Sequence, residues 1–356
     1  MSEVGEMTET PPALTQGYRR FVRRRTIWLS VLASALIATA VVNIMTGPAG
    51  LSLSQVVNGF LNPQDLDAGT YVILWDVRLP FALMAVVVGA CLGLAGAEMQ
   101  TVLNNPLASP QTLGVMYAAT LGASIAIVFN LSAPLGLPEN YVVPVFAFAG
   151  AVASAALILV LSRVYGATVN TVILFGIALV FALQALIQLI QFVADNDSLQ
   201  QIVFWTMGSL TRATWEKVAI VAAVFALCLP ASIRQVWAMT ALRGGEDYAR
   251  SYGVAVNRLR LTVLMRVSAM TAVAVAFTGV IGFVGLVGPH IARLAVGEDH
   301  RFYLPASALA GAVILSGASL ISKSIVPGVL IPDGIVTALI GIPLFLGLLM
   351  TQKRRG

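Results

Sequence analysis

Residues 241–260 read ALRGGEDYARSYGVAVNRLR, six charged side chains in twenty positions, in a chain that is otherwise apolar for span after span. Over all 356 residues 58% are apolar and 10% charged, whereas an ordinary soluble domain carries roughly 25% charged residues. That contrast decides the fold class. It is an all-α integral membrane protein whose hydrophobic helices are interrupted by one large water-facing segment, and such a segment must meet something soluble.

Working outward, a hydrocarbon core about 30 Å thick takes about 20 apolar residues per helix. Segments of that kind fall at 27–45, 82–100, 112–130, 141–162, 170–194, 215–233, 261–281, 283–296, 304–322 and 334–351, which predicts about ten transmembrane helices. The first resembles a secretory signal with Ala38-Thr39-Ala40 as its cleavage site, but its apolar core exceeds the roughly 7 to 15 residues of such signals, so it reads as an uncleaved helix. The spans place a polar, unstructured cytoplasmic tail at 1–25, closed by Arg19, Arg20, Arg23, Arg24 and Arg25, a transmembrane domain at 26–351, and a second cytoplasmic tail at 352–356. With both termini inside, all of the 21 Lys and Arg residues except Arg78, Arg212, Lys217 and Lys323 fall on the cytoplasmic side. This is the asymmetry that sets membrane orientation.

The net charge of +5 does not point to nucleic acid, because the basic residues sit at the ends of apolar runs and form no patch interleaved with aromatics. Cys91 and Cys228 lie far apart inside apolar runs, which leaves no disulfide framework and no metal pair. The chain has no GxxxxGK[ST] phosphate loop, no HExxH and no GxSxG, and His290 and His300 lack partners at ligand spacing. No catalytic residue, cofactor or metal is expected. A chain that moves solute without its own nucleotide site uses an ion gradient or borrows an ATPase.

Three intramembrane features bear on mechanism. Gly89, Gly93 and Ala97 stand four apart and offer a face on which another backbone can approach. Gln184, Gln188 and Gln191 fall at i, i+4 and i+7 and share one helix face; amides facing lipid are costly, so this face meets a neighbouring helix or a watery translocation path. Glu98 lies late in the second span, followed by Gln100, Asn104 and Asn105; with no second buried acid to continue a proton relay, a structural or gating role is expected.

Four blocks carry a resemblance: GACLGLAGAEMQTVLNNPLASPQTLGV at 89–115, WTMGSL at 205–210, GVIGFVGLVGPHIARLAVGEDHRFYLPASALAGA at 279–312 and DGIVTALIGIPLFLGLL at 333–349. In order and spacing they resemble the FecCD/BtuC family, the permease subunits of type II ABC importers for ferric siderophores, haem and vitamin B12. The resemblance implies a BtuC-like fold of ten transmembrane helices and three kinds of partner besides the lipid bilayer itself: ABC ATPase subunits, a second permease subunit, identical or paralogous, and a periplasmic substrate-binding protein. It implies that 241–260 forms short cytoplasmic helices seated on the ATPase, with Gly244 and Gly253 as breaks beside Gly245, and Glu246, Asp247, Tyr248 and Arg250 as the polar faces. It also implies a cytoplasmic gate at Asn105 and Leu107, facing the loop 167–170 with Val169 and Asn170.

On the outer face the family's RLPR, ADxxxR and ELPxG motifs are only partly kept. The chain reads Arg78-Leu79-Pro80-Phe81, then Ala318-Ser319 with Lys323, then Leu330-Ile331-Pro332-Asp333-Gly334. The resemblance therefore implies binding-protein docking at Arg78, with Phe81 and Lys323 in place of arginines; lysine lacks the bidentate fork that arginine offers a carboxylate. The resulting expectation is the permease subunit of an ABC importer for a ferric siderophore in the bacterial inner membrane. Haem or vitamin B12 import is the alternative within the class, and a gradient-driven secondary transporter the alternative outside it.

Overall fold

The computed structural model describes residues 12–47, 50–166, 168–326 and 328–353. The helices, in chain order, are α1 Pro12–Met45, α2 Leu53–Leu61, α3 Ala68–Tyr71, α4 Leu79–Val102, α5 Val115–Val128, α6 Ser132–Leu135, α7 Glu139–Tyr165 and α8 Val169–Val193. They continue as α9 Asn196–Thr206, α10 Trp215–Arg234, α11 Val236–Arg243, α12 Glu246–Ser251, α13 Val256–Thr278, α14 Val284–Val296, α15 His300–Ser324 and α16 Asp333–Lys353. Among the described residues seven helices are long and apolar enough to cross a membrane, and Val115–Val128, Val284–Val296 and Asp333–Gly347 are shorter apolar helices. Together these occupy the ten segments marked by hydropathy.

Two ends differ from expectation. Helix α1 starts at Pro12, well before the membrane segment, because nothing in the arginine-rich stretch 18–25 breaks a helix once the apolar turns beyond it have formed. The tail thus supplies most of its length to α1, and its first eleven residues lie outside the described ones, as do 354–356 at the other end. Ahead of α4, the chain runs from α3 through a π-helical stretch Val72–Arg78 without interruption, so the second apolar span is the end of a 35-residue rod.

Helix α4 is the hub. Its residues from Val88 to Val102 are almost all buried, packed against α13, α14 and α15. Small residues permit the approach: a Cβ on Gly93 would sit 2.2 Å from the Ser307 carbonyl oxygen, and one on Gly96 1.8 Å from that of Gly285. The close face of α4 is therefore Gly89, Gly93 and Gly96, with Gly96 in the place expected for Ala97. Helices α5 and α7 meet in the same way, with Gly122 against the backbone of Phe146. Without a solvent-driven hydrophobic term between helices in lipid, close packing of this kind is what holds them.

The WTMGSL block closes the turn between α9 and α10 against the break between α13 and α14. Ser209 N–H donates to the Thr278 carbonyl at 2.7 Å, and Leu210 N–H to Asp333 Oδ2 at 2.8 Å. Gly208 and Gly279 both take positive φ with each other's strand of backbone within van der Waals reach, so neither tolerates a side chain.

Candidate coupling surface and translocation path

The charged stretch of 241–260 folds as a helix pair at the basic end. Helix α11 ends at Arg243, Gly245 turns the chain at φ +114°, α12 makes less than two turns, and Gly253 at φ +77° leads into α13. Met239, Leu242 and Ala249 are buried and anchor the pair to the bundle. Asp247, Tyr248, Arg250 and Tyr252 face outward, and the two tyrosine rings pack with centroids 4.8 Å apart. Glu246 is half-buried and is engaged inward as well. Its carboxylate accepts from buried Arg260 at 2.5 Å and from Arg250 at 3.3 Å, while Arg260 also donates to the Val102 carbonyl at 3.0 Å. Glu246 thus fastens α12 to the ends of α13 and α4 while its side chain stays 39% exposed beside Asp247 and Arg250.

Arg243 was not singled out in the sequence, yet it links three elements of the fold. One Nη donates to Asn104 Oδ1 at 3.2 Å, beside the gate loop, and the other is paired with Glu298 in the α14–α15 connection. Glu298 also lies 3.2 Å from Arg293 Nε. Arg293 in turn donates to Gln100 Oε1 at 3.0 Å and to the Tyr303 hydroxyl at 3.2 Å. The Arg243 guanidinium holds the Glu298 carboxyl below the usual glutamate range. Buried His300 adds a bridge, with Thr101 Oγ1 at 2.8 Å from one ring nitrogen and Thr240 Oγ1 at 3.2 Å from the other. These contacts bond α11 to α4, α14 and α15.

At the gate loop, Asn104 takes φ +42° and Asn105 Oδ1 accepts from Leu107 N–H at 2.9 Å, a tight Asx turn ahead of Pro110. Leu107 is exposed and Asn105 half-buried. Across the α7–α8 connection, Thr168 caps α8 by accepting from Thr171 N–H at 3.2 Å, so Val169 and Asn170 are the first helical residues and not a loop; Ala167 lies outside the described residues.

The glutamine face is directed at space. Gln184, Gln188 and Gln191 line a cavity of about 280 Å³ together with Gln111, Tyr117, Thr120 and Thr206. Leu183, on the adjacent flank of α8, is buried against Gly114. The opposing polar groups come from the turn before α5, from α5 and from α9, elements that no periodicity in α8 reveals. Glu98, by contrast, is fully buried and bound by Arg266 on α13: Nε donates to Oε1 at 3.1 Å and Oε2 at 2.9 Å, and Nη2 to Oε1 at 2.8 Å. Arg266 Nη1 donates to Gln235 Oε1 at 3.1 Å. Glu98 joins helices and takes no part in the cavity lining.

The outer-face residues turn inward, which corrects their expected exposure. Arg78 is 5% exposed and caps the end of α1, Nη1 donating to the Ile44 and Met45 carbonyls at 2.8 and 2.9 Å. Phe81 is buried, with the Lys323 ammonium 3.9 Å over its ring. That ammonium also donates to Asn43 Oδ1 at 2.5 Å and to the Asn43 carbonyl at 3.2 Å, while Asn43 donates to Ser319 Oγ at 2.8 Å. The cluster locks α1, α4 and α15 together, and Arg78 and Phe81 present almost no surface to a soluble partner.

Residues 35–351 match the FecCD transport family. The Fe(3+)-citrate import system permease protein of Bacillus subtilis (strain 168) is 36% identical, over 94% of this chain and 97% of its own length. The hemin transport system permease protein of Yersinia pestis is 33% identical, over 92% and 97%. A solved structure of a metal-chelate type ABC transporter in an inward-facing conformation superposes with a TM-score of 0.80 at 32% identity, over 91% of this chain and 98% of that one.

Proposed function

The chain belongs to the FecCD transport family, the membrane permeases of ABC importers, and on that premise we propose that it carries a ferric siderophore from the periplasm to the cytoplasm. The observation that carries the substrate reading is the chemistry of the α8 cavity. Among the described residues its polar lining consists of amides and hydroxyls, namely Gln111, Tyr117, Thr120, Gln184, Gln188, Gln191 and Thr206, with no acidic or basic side chain. A bare hard cation is held by carboxylates and carbonyls in a tight shell, and haem would be favoured by an apolar wall. Neutral hydrogen-bonding groups suit a bulky, oxygen-rich chelate whose metal is already fully ligated. Relatives named for iron(III) citrate and hemin, and a neighbour of metal-chelate type, are consistent with a chelate cargo.

In this reading the working complex holds two permease subunits, two ATPases and a periplasmic binding protein in the inner membrane. ATP is hydrolysed in the partners. Asp247, Tyr248 and Arg250 are the ATPase contacts, Arg243 passes their movement to the loop containing Asn105 and Leu107, and Val169 and Asn170 border that gate. The binding protein meets outer-face groups other than Arg78 and Phe81.

The test is reconstitution of the permease with and without its ATPase in liposomes, offering an iron-loaded hydroxamate or catecholate chelate, hemin and cobalamin. ATP-dependent uptake of the ferric chelate is expected, together with loss of ATPase association in Asp247→Lys/Tyr248→Ala at normal membrane insertion. Uptake driven by an ion gradient without the ATPase would overturn the coupling reading, and uptake of hemin or cobalamin alone would overturn the substrate.

A further inference from the structure

A larger cavity, about 980 Å³, lies at the outer end of the bundle, away from the glutamine face. Its charged lining is Glu139 from the first turn of α7, Asp197 from α9, Arg212 from the 3₁₀ turn after it and Lys217 from the first turn of α10, with Trp205 and Phe277 among the apolar groups. Lys217 is 7% exposed, and among the described residues its ammonium donates only to the Arg212 carbonyl, at 2.8 Å. Arg212 donates to the Phe204 carbonyl at 3.4 Å. Among the described residues none of these four charges forms an ion pair. Two cations and two acids thus share one cavity without pairing directly; Glu139 and Asp197 are exposed and Arg212 is half-buried, whereas Lys217 is buried, and a buried charge is costly unless something compensates it.

The level of the cavity in the membrane is marked by its neighbours. Tyr141, two residues after Glu139, is exposed and donates its hydroxyl to Glu216 at 3.1 Å; Trp215, two residues before Lys217, is exposed and donates its indole N–H to the Trp75 carbonyl at 2.8 Å. Exposed Tyr and Trp at helix ends characterise the headgroup layer. We propose that this cavity binds the headgroup of a zwitterionic glycerophospholipid of the outer leaflet. The phosphodiester would be held by Arg212 and Lys217, and the ammonium of an ethanolamine group by Glu139 and Asp197. Arginine is suited to phosphate oxygens because its planar fork presents several donors at once. The charges of the lining sum to zero, which fits a zwitterion better than an anionic lipid.

The test uses the full-length chain purified with its partners, titrated with dihexanoyl-phosphatidylethanolamine, dihexanoyl-phosphatidylglycerol or inorganic phosphate, with the thermal midpoint and native mass spectrometry as readouts. Saturable binding of phosphatidylethanolamine is expected, weakened at least tenfold in Arg212→Gln. Glu139→Gln/Asp197→Asn, at exposed positions, should weaken phosphatidylethanolamine while sparing phosphatidylglycerol. Phosphate binding as tightly as the lipid would mean an anion site only and overturn the proposal. So would phosphatidylglycerol binding as tightly as phosphatidylethanolamine in the wild type, or an unchanged affinity in Arg212→Gln.

Discussion

Replacing Glu98 by glutamine keeps the side-chain volume and removes the charge, which leaves Arg266 buried among α4, α10 and α13 without its counter-ion. The wild-type carboxylate accepts three hydrogen bonds from Arg266, the longest 3.1 Å, and is fully excluded from solvent. Removing one partner of a buried pair of this quality costs about 3–5 kcal/mol. Glutamine retains one acceptor oxygen, so Glu98→Gln should fall near the lower end, about 3 kcal/mol, and Glu98→Ala near the upper. Glu98→Leu/Arg266→Met removes both charges at roughly constant volume, and replacing a whole buried pair by apolar groups is often neutral or stabilising. The double variant should therefore lie within about 2 kcal/mol of wild type, far less damaged than either single change. Unfolding in mixed micelles by increasing SDS fraction gives the three values. Single variants as stable as wild type would refute the structural account of the pair. A double variant that folds normally but has lost ATP-driven uptake would show instead that Glu98 belongs to the moving machinery.

Cysteines at 184, 188 and 191 in a background lacking Cys91 and Cys228 should react with a water-soluble maleimide, and one at 183 should be protected, because the glutamines line a cavity while Leu183 packs on Gly114; equal labelling would remove the glutamine face from the path. Gly96→Ala should destabilise by about 1–3 kcal/mol or more, since its Cβ would overlap the Gly285 carbonyl, whereas Gly317→Ala on α15, where nothing lies within 4 Å, should stabilise by about 0.5–1 kcal/mol; the same SDS unfolding measures both. Glu298 has its folded pKa depressed, chiefly by the Arg243 hydrogen bond, so its contribution is complete above the unfolded value of about 4.3 and disappears as pH falls through the folded value. The gap in thermal midpoint between wild type and Glu298→Gln should accordingly be constant from pH 7 to 5 and close on acidification below about pH 4.3.

The ten spans were legible because lipid imposes a length and a polarity that one local window can read, and the helix ends fall within a few residues of those windows except where α1 extends back to Pro12 and the run into α4 extends back to Ala68. The glutamine face was legible for the same reason, as a pattern within one helix. Its opposing wall was not: Gln111 and Thr120 precede α8 by some fifty residues or more in the chain, and their shared cavity is a product of packing. Arg78 and Lys323 show the opposite difficulty. In the sequence each is an isolated cation at the outer end of an apolar run, and the natural reading is exposure. Yet the carbonyls at the end of any helix lack intrahelical partners, and the end of α1 draws both side chains inward to Ile44, Met45 and Asn43.

That same rule explains why Arg243 was passed over and why it matters. As the last residue of α11 it reads as an ordinary basic helix end, the charge expected there to complement the helix dipole. In the fold its guanidinium spans from Asn104 to Glu298, so one side chain bonds the end of α11, the turn after α4 and the connection between α14 and α15. In the coupling proposed above, a shift of α11 would either break these bonds or carry α4, α14 and α15 with it, which is what an external motor would need.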